Sequence, residues 1–182
     1  MRVRAITTLG LDLLWLLTVS DGWTQEAGPT ESEVKSAYIF NFAKFVEWPP
    51  KSLPQASSPI VIGILGENPF HGDLEQTIRN KTVDDHPLLL MKEFALPAAP
   101  TNCHILFINS SEKARLPQIL KDLKGASVLT VGEMDGFTEA GGMINFVREG
   151  TKIRFRINNE AATKAGLKIS SKLLSLALRS GG

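Results

Sequence analysis

The 182-residue chain contains one cysteine, Cys103, and that scarcity excludes more than any motif present. A single thiol forms no intramolecular disulfide, and no CxxC redox motif or cysteine-based metal cluster can be built around it. Its place before the apolar run His104-Ile105-Leu106-Phe107-Ile108 reads as a buried structural thiol. An excess of charge of one sign is also missing: 20 Lys and Arg stand against 19 Asp and Glu. No whole-molecule field draws the protein to nucleic acid or an acidic membrane, so nucleic acid is not an expected partner.

Histidine is sparse as well. His71, His86 and His104 are scattered, without the H-x-x-x-H or H-E-x-x-H spacing of a metal site. His86 follows Asp84-Asp85 but precedes Pro87, and the stretch reads as a solvated turn. Gly63-Ile64-Leu65-Gly66 ends a strand where phosphate loops occur, yet neither G-x-G-x-x-G nor G-x-x-x-x-G-K-[ST] is present. No serine sits in a G-x-S-x-G elbow. These absences argue against an enzyme, and no cofactor or metal is expected.

What is present is an ordinary globular composition, 43% hydrophobic and 21% charged, enough to build a core and too apolar for disorder. Arg2 and Arg4 precede a mostly apolar run at residues 9–19, followed by Ser20, Asp21 and Gly22. This is the layout of a secretory signal, with cleavage expected near residues 20–24, although Asp12 interrupts the apolar stretch. Eleven helical residues cover only about 16 Å, short of the ~30 Å bilayer core. The division that follows is a signal peptide over residues 1–24, a polar linker over 25–32 and a single domain over 33–179.

Within the domain, Thr30 or Ser32 caps a predicted helix over about 33–47, ended by Trp48-Pro49-Pro50. Val34, Tyr38, Ile39, Phe42, Phe45 and Val46 share its apolar face, and Phe40 falls among the polar residues opposite. Continuous apolar runs at 60–65, 103–108 and 126–131 predict strands buried on both faces, with a shorter strand at 88–91. Helices are predicted from Pro69 to about residue 80, and from Ser110 or Ser111 to Lys124, closed by Gly125. The alternation implies an α/β fold with a mainly parallel sheet covered by helices on both faces.

Residues 143–147 and 151–158, joined through Arg148-Glu149-Gly150, predict an antiparallel edge hairpin. Its second strand alternates Ile153, Phe155 and Ile157 against Lys152, Arg154 and Arg156. Asn158 or Asn159 caps a helical stretch reaching about Arg179. If continuous, it aligns Lys164, Lys168, Lys172 and Arg179 in a basic stripe; alternatively Gly166 breaks it and Ser170 caps a second piece. The three cations of the alternating strand could meet an anion or an acidic partner, or simply discourage edge-to-edge pairing. Phe40, Lys152, Arg154, Arg156, Lys168 and Lys172 are therefore the candidate contact residues.

The stretch Val34-Lys35-Ser36-Ala37-Tyr38-Ile39-Phe40-Asn41-Phe42-Ala43-Lys44-Phe45-Val46-Glu47-Trp48-Pro49 resembles the opening helix of the YfiR/HmsC family. Ile64-Leu65-Gly66-Glu67-Asn68-Pro69-Phe70, Cys103 through Ile108, Gly136-Phe137, Gly141-Gly142-Met143-Ile144 and Ile153-Arg154-Phe155-Arg156-Ile157-Asn158 resemble it too. So does Ala165-Gly166-Leu167-Lys168-Ile169-Ser170-Ser171-Lys172-Leu173-Leu174, and the likeness runs from about residue 32 to 178. The resemblance implies a periplasmic α/β protein, often a homodimer, that restrains an inner-membrane diguanylate cyclase by binding its periplasmic part. Redox state or an outer-membrane partner would relieve that restraint, linking the protein to cyclic-di-GMP signalling and biofilm formation. Family half-cystine positions match Cys103 and, in the preceding strand, Gly63, so a disulfide switch does not carry over. Two further readings stand beside this one: a sensor holding a small anion or metabolite near Gly66, and an enzyme whose site is assembled through space.

Overall fold

A computed structural model describes residues 28–55, 57–91 and 99–178. The expected signal peptide, and Arg179 of the expected basic stripe, lie outside the described residues. Helix α1 (Glu31–Phe45) opens on Thr30, whose hydroxyl accepts the Glu33 amide proton while the Glu33 carboxylate accepts that of Thr30. This reciprocal box satisfies two otherwise orphaned donors and starts the helix. The helix ends earlier than its periodicity predicts, because Val46 turns extended and Val46–Glu47 form the short strand β1.

Strand β2 (Ile60–Leu65) is followed by turns, and helix α2 (Asp73–Ile78) is shorter than the expected Pro69 start. The Asn68 side chain accepts the Phe70 amide proton at 2.9 Å, and His71 and Gly72 adopt positive φ. That local turn captures the backbone before a helical ladder can form. Strands β3 (Thr82–Val83) and β4 (His86–Met91) then make a hairpin. Asp84 and Asp85, at φ 48° and 69°, are its two-residue primed turn.

Strand β5 (Ile105–Ile108) leads into a 3₁₀ segment, Ser110–Arg115, capped by Asn109 rather than by a serine. Helix α3 (Leu116–Asp122) starts only there, since Pro117 has no N–H to continue a ladder from the preceding turn. Strands β6 (Leu129–Gly132), β7 (Ile144–Glu149) and β8 (Lys152–Ile157) complete the main sheet. The C-terminal stretch is not one helix. Helix α4 (Asn159–Lys164) stops at Gly166, at φ 77°. Strand β9 (Lys168–Ile169) follows, and Ser170 caps helix α5 (Ser171–Leu176).

The seven-stranded sheet has the order β3-β4-β2-β5-β6-β7-β8. Its middle, from β4 to β7, is parallel, while β3 and β8 run antiparallel at the two edges. The sheet is therefore mixed, and the expected parallel character holds for its centre only. The antiparallel hairpin near the C-terminus is present, with Phe146 opposite Phe155. A separate antiparallel pair, β1 with β9, joins the end of α1 to the C-terminal region. Alternation along β5 divides the core: Ile105 and Phe107 pack with Ile39, Phe42, Leu74 and Leu173, and Leu106 and Ile108 with Leu116, Ile119 and Phe137. Helices thus cover both faces.

Candidate functional site

On β8, Ile153 and Phe155 are buried toward α1, so Lys152, Arg154 and Arg156 project from the opposite face and are exposed. Arg154 has only a loose partner, Glu149, at 3.8 Å. Beside this row, hydrogen bonds from its own backbone and from Thr138, with a smaller pull from Arg156, hold the Glu139 carboxyl below its usual range. The strand's outer edge is partly closed. The Ile153 carbonyl accepts from the Tyr38 hydroxyl at 3.3 Å, and the Phe155 carbonyl from the Leu178 amide at 2.8 Å.

Phe40 lies across the molecule from that row, on α1, and is half-buried against the core. Lys81 Nζ stands 4.5 Å above its ring and Lys44 Nζ 5.6 Å away. The neighbouring Phe45 ring carries Lys172 at 5.1 Å and Lys44 at 5.9 Å. Phe40 and Lys172 therefore share one surface of lysines over aromatic rings, while Lys152, Arg154 and Arg156 belong to another. Lys44, Lys81 and Lys172 form no ion pair among the described residues. Lys168 is on β9, not on a helix, and stands 3.9 Å from Glu47. Lys164 is paired with Glu160 at 2.6 Å. The C-terminal basic stripe is thus not formed, because Gly166 breaks the periodicity that would align it.

A polar cleft that sequence reading missed opens at the carboxyl ends of β5, β6 and β7, with a volume of about 600 Å³. Lys35, buried on α1, pairs with Glu31 at 2.7 Å and with Glu133 at the end of β6. Glu31 also pairs with Arg148 on β7, and the Asn109 amide reaches Glu133 at 3.5 Å. The buried Asn145 accepts the Met134 amide proton at 3.1 Å. Ser110, Lys113 and Asp135 complete the polar lining. One sign was available in the sequence: Lys35 precedes Ile39 and Phe42 by four and seven positions, placing a lysine on the buried stripe.

The crevice near Gly66, between β2 and β5, is filled by the chain. A Cβ placed on Gly66 would lie 2.5 Å from Ser111 Oγ and 2.9 Å from Glu112 Cγ, and the Glu67 amide donates to Ser111 Oγ at 3.1 Å. Its carboxylate neighbour and its satisfied amide leave little for an anion. Among the described residues, no three His, Cys, Asp or Glu side chains converge to hold a metal, and no helix is long and apolar enough to cross a membrane.

A protein-family model described as YfiR/HmsC-like, DUF4154, matches residues 32–178. The chain belongs to the YfiR/HmsC-like family. Comparison with curated proteins found no match.

Family resemblance aligned Gly63 with a half-cystine facing Cys103, and the strand register corrects that pairing. Gly63 lies opposite Leu106, whereas the amide of His104, next to Cys103, bonds Val61. Three residues of strand separate the two levels, about 10 Å, and a disulfide needs Cα atoms within about 7 Å. Cys103 itself is buried, with its thiol toward the Pro100 carbonyl at 3.4 Å, and burial pushes its pKa up to about 12. The glycines of the YfiR/HmsC-like motif Gly141-Gly142 have a packing cause. Phe137 fills a slot between the Gly132 and Gly142 backbones, where a Cβ on Gly132 would come within 2.6 Å of the ring and one on Gly142 closer still.

Proposed function

We propose that this YfiR/HmsC-like protein is an exported regulator that restrains a membrane signalling protein by non-covalent contact. Residues 1–24 direct export and are removed, and the domain over 33–179 acts in the periplasm, as a homodimer. The partner is the periplasmic part of an inner-membrane diguanylate cyclase, and an outer-membrane protein competes for the regulator. The output is then cyclic-di-GMP level and biofilm formation. The protein acts without turnover or cofactor: it biases a two-state receptor by binding one state better.

The family match over residues 32–178 carries this reading. Two cationic faces support it, because each offers exposed positive groups with weak or no internal partners. The face of Phe40, Lys44, Lys81 and Lys172 is the better candidate for the receptor, since aromatic anchors among cations resemble the energetic centre of protein interfaces. The row of Lys152, Arg154 and Arg156 serves the second contact.

Affinity capture from detergent-solubilised membranes of the native host tests the reading. The wild-type protein should retain a membrane protein with a cyclase domain. Lys81→Glu with Lys172→Glu should release it, and Lys152→Glu with Arg154→Glu should not. Recovery of no membrane signalling protein by the wild type would overturn the proposal.

A further inference from the structure

The cleft at the carboxyl ends of β5, β6 and β7 presents a side-chain hydrogen-bond donor that no protein acceptor among the described residues meets. Asn145 is 8% exposed, and its amide orientation is set because Oδ1 must accept the Met134 amide proton. Nδ2 therefore points the other way, and among the described residues no acceptor meets it. Nδ2 is open to the cleft, where water or an acceptor supplied from outside can meet it.

The charges around it narrow what that acceptor belongs to. Arg148, Glu31, Lys35 and Glu133 balance one another in a continuous row of ion pairs. The remaining charged groups of the lining, Lys113 and Asp135, are exposed, are of opposite sign and form no ion pair among the described residues. The cleft thus selects neither a cation nor an anion. It presents separate donors (Asn145 Nδ2, Lys113 and the Ser110 hydroxyl), an acceptor in Asp135, and apolar wall from Phe146, Val147 and Ile153. Its volume of about 600 Å³ falls in the range of small-molecule sites, which favour the carboxyl ends of parallel strands.

We propose that this cleft binds a neutral polyhydroxylated ligand, a sugar of one or two rings. Vicinal hydroxyls both accept and donate, so one accepts from Asn145 Nδ2 while its neighbours donate to Asp135 and accept from Lys113. The C–H face of the ring covers the apolar wall. This site does not depend on the partner reading above.

The test is titration of the full chain, followed by NMR of the Asn145 side-chain amide, with glucose, N-acetylglucosamine and maltose as probes. L-Alanine and inorganic phosphate are the charged controls. At least one sugar should shift the Asn145 amide signals saturably, and the controls should not. Asn145→Asp keeps the acceptor for Met134 and replaces the free donor, so it should weaken binding about tenfold, as expected for one lost hydrogen bond. Asp135→Ala, at an exposed position, should weaken it similarly without disturbing the fold. Absence of any sugar response, a control response as strong as the sugars', or wild-type affinity in Asp135→Ala would each overturn the proposal.

Discussion

The imidazole of His104 accepts the amide proton of Val61 at 3.0 Å, bridging from the start of β5 to β2. Its other nitrogen stands 3.0 Å from the Ser52 carbonyl and so carries the proton, while the Trp48 ring meets it edge-on. The neutral tautomer is thereby built into the join between two central strands and the 48–55 loop. Protonation of Nδ1 would set two donors against each other.

This arrangement gives stability a pH dependence. Burial, aided by the charge of His86, pushes the His104 pKa below its ordinary 6.5, against the opposing hydrogen bond to Ser52. The unfolded chain takes up a proton at the ordinary value and the folded chain resists, so protons favour unfolding. The contribution is complete above 6.5 and is lost as pH falls below it. Thermal unfolding between about pH 5 and pH 8 should show a falling midpoint on the acid side. His104→Gln should flatten that slope while lowering the midpoint at neutral pH. A wild-type midpoint independent of pH over this range would refute the assignment.

Cys103 should behave as a core residue. With its thiol pushed up to about 12, it presents almost no thiolate near neutrality. A colorimetric thiol reagent should leave the native protein unmodified and react with one equivalent once denaturant is added. Rapid native labelling, or a reducible covalent dimer, would show that the thiol is reachable.

The slot around Phe137 predicts a steep penalty for a single methyl group. Gly142→Ala drives a Cβ into the ring and should cost about 3 kcal/mol, the upper range for overpacking. Phe137→Leu in the same chain should restore part of that loss. Denaturant unfolding of the single and double variants checks the coupling.

Lys35 should be destabilising to remove on its own. Lys35→Met leaves the Glu133 carboxylate, 17% exposed, without its ammonium partner, and should cost about 3 kcal/mol. Adding Glu133→Gln removes the stranded charge and should recover much of the loss. Equal stabilities for wild type and Lys35→Met would place the pair outside the stability of the fold.

Much of the fold was legible because its signals are local. Residues 60–65 and 105–108 are apolar without interruption, as strands covered on both faces require, and the alternation of 152–157 marks a strand with one open face. Gly150 and Gly166 sit where the chain takes positive φ, so the hairpin turn and the break before Ser170 could be read in advance. The shorter α2 was hidden because Pro69 is tolerated at a helix start, and only the Asn68 side chain diverts it. Strands β1 and β9 have two residues each, too few for any periodicity; they exist because distant segments meet. The cleft was invisible for the same reason. Its residues run from Glu31 to Ile153 and are joined only by strand order, with Lys35 on an apolar stripe as the single local sign.

The β1–β9 pair also orders events in time. Val46 has its strand partner in Ile169, and the Phe45 carbonyl accepts from the Ser170 amide, with most of the described chain between them. Any process that delivers the polypeptide from its amino end, whether synthesis or threading through a membrane, releases α1 long before its seal arrives. Phe42, fully buried in the finished protein, lacks two of its ring neighbours until Phe146 and Phe155 of β7 and β8 have emerged. The end of α1 is therefore sealed late, after every strand of the main sheet has emerged.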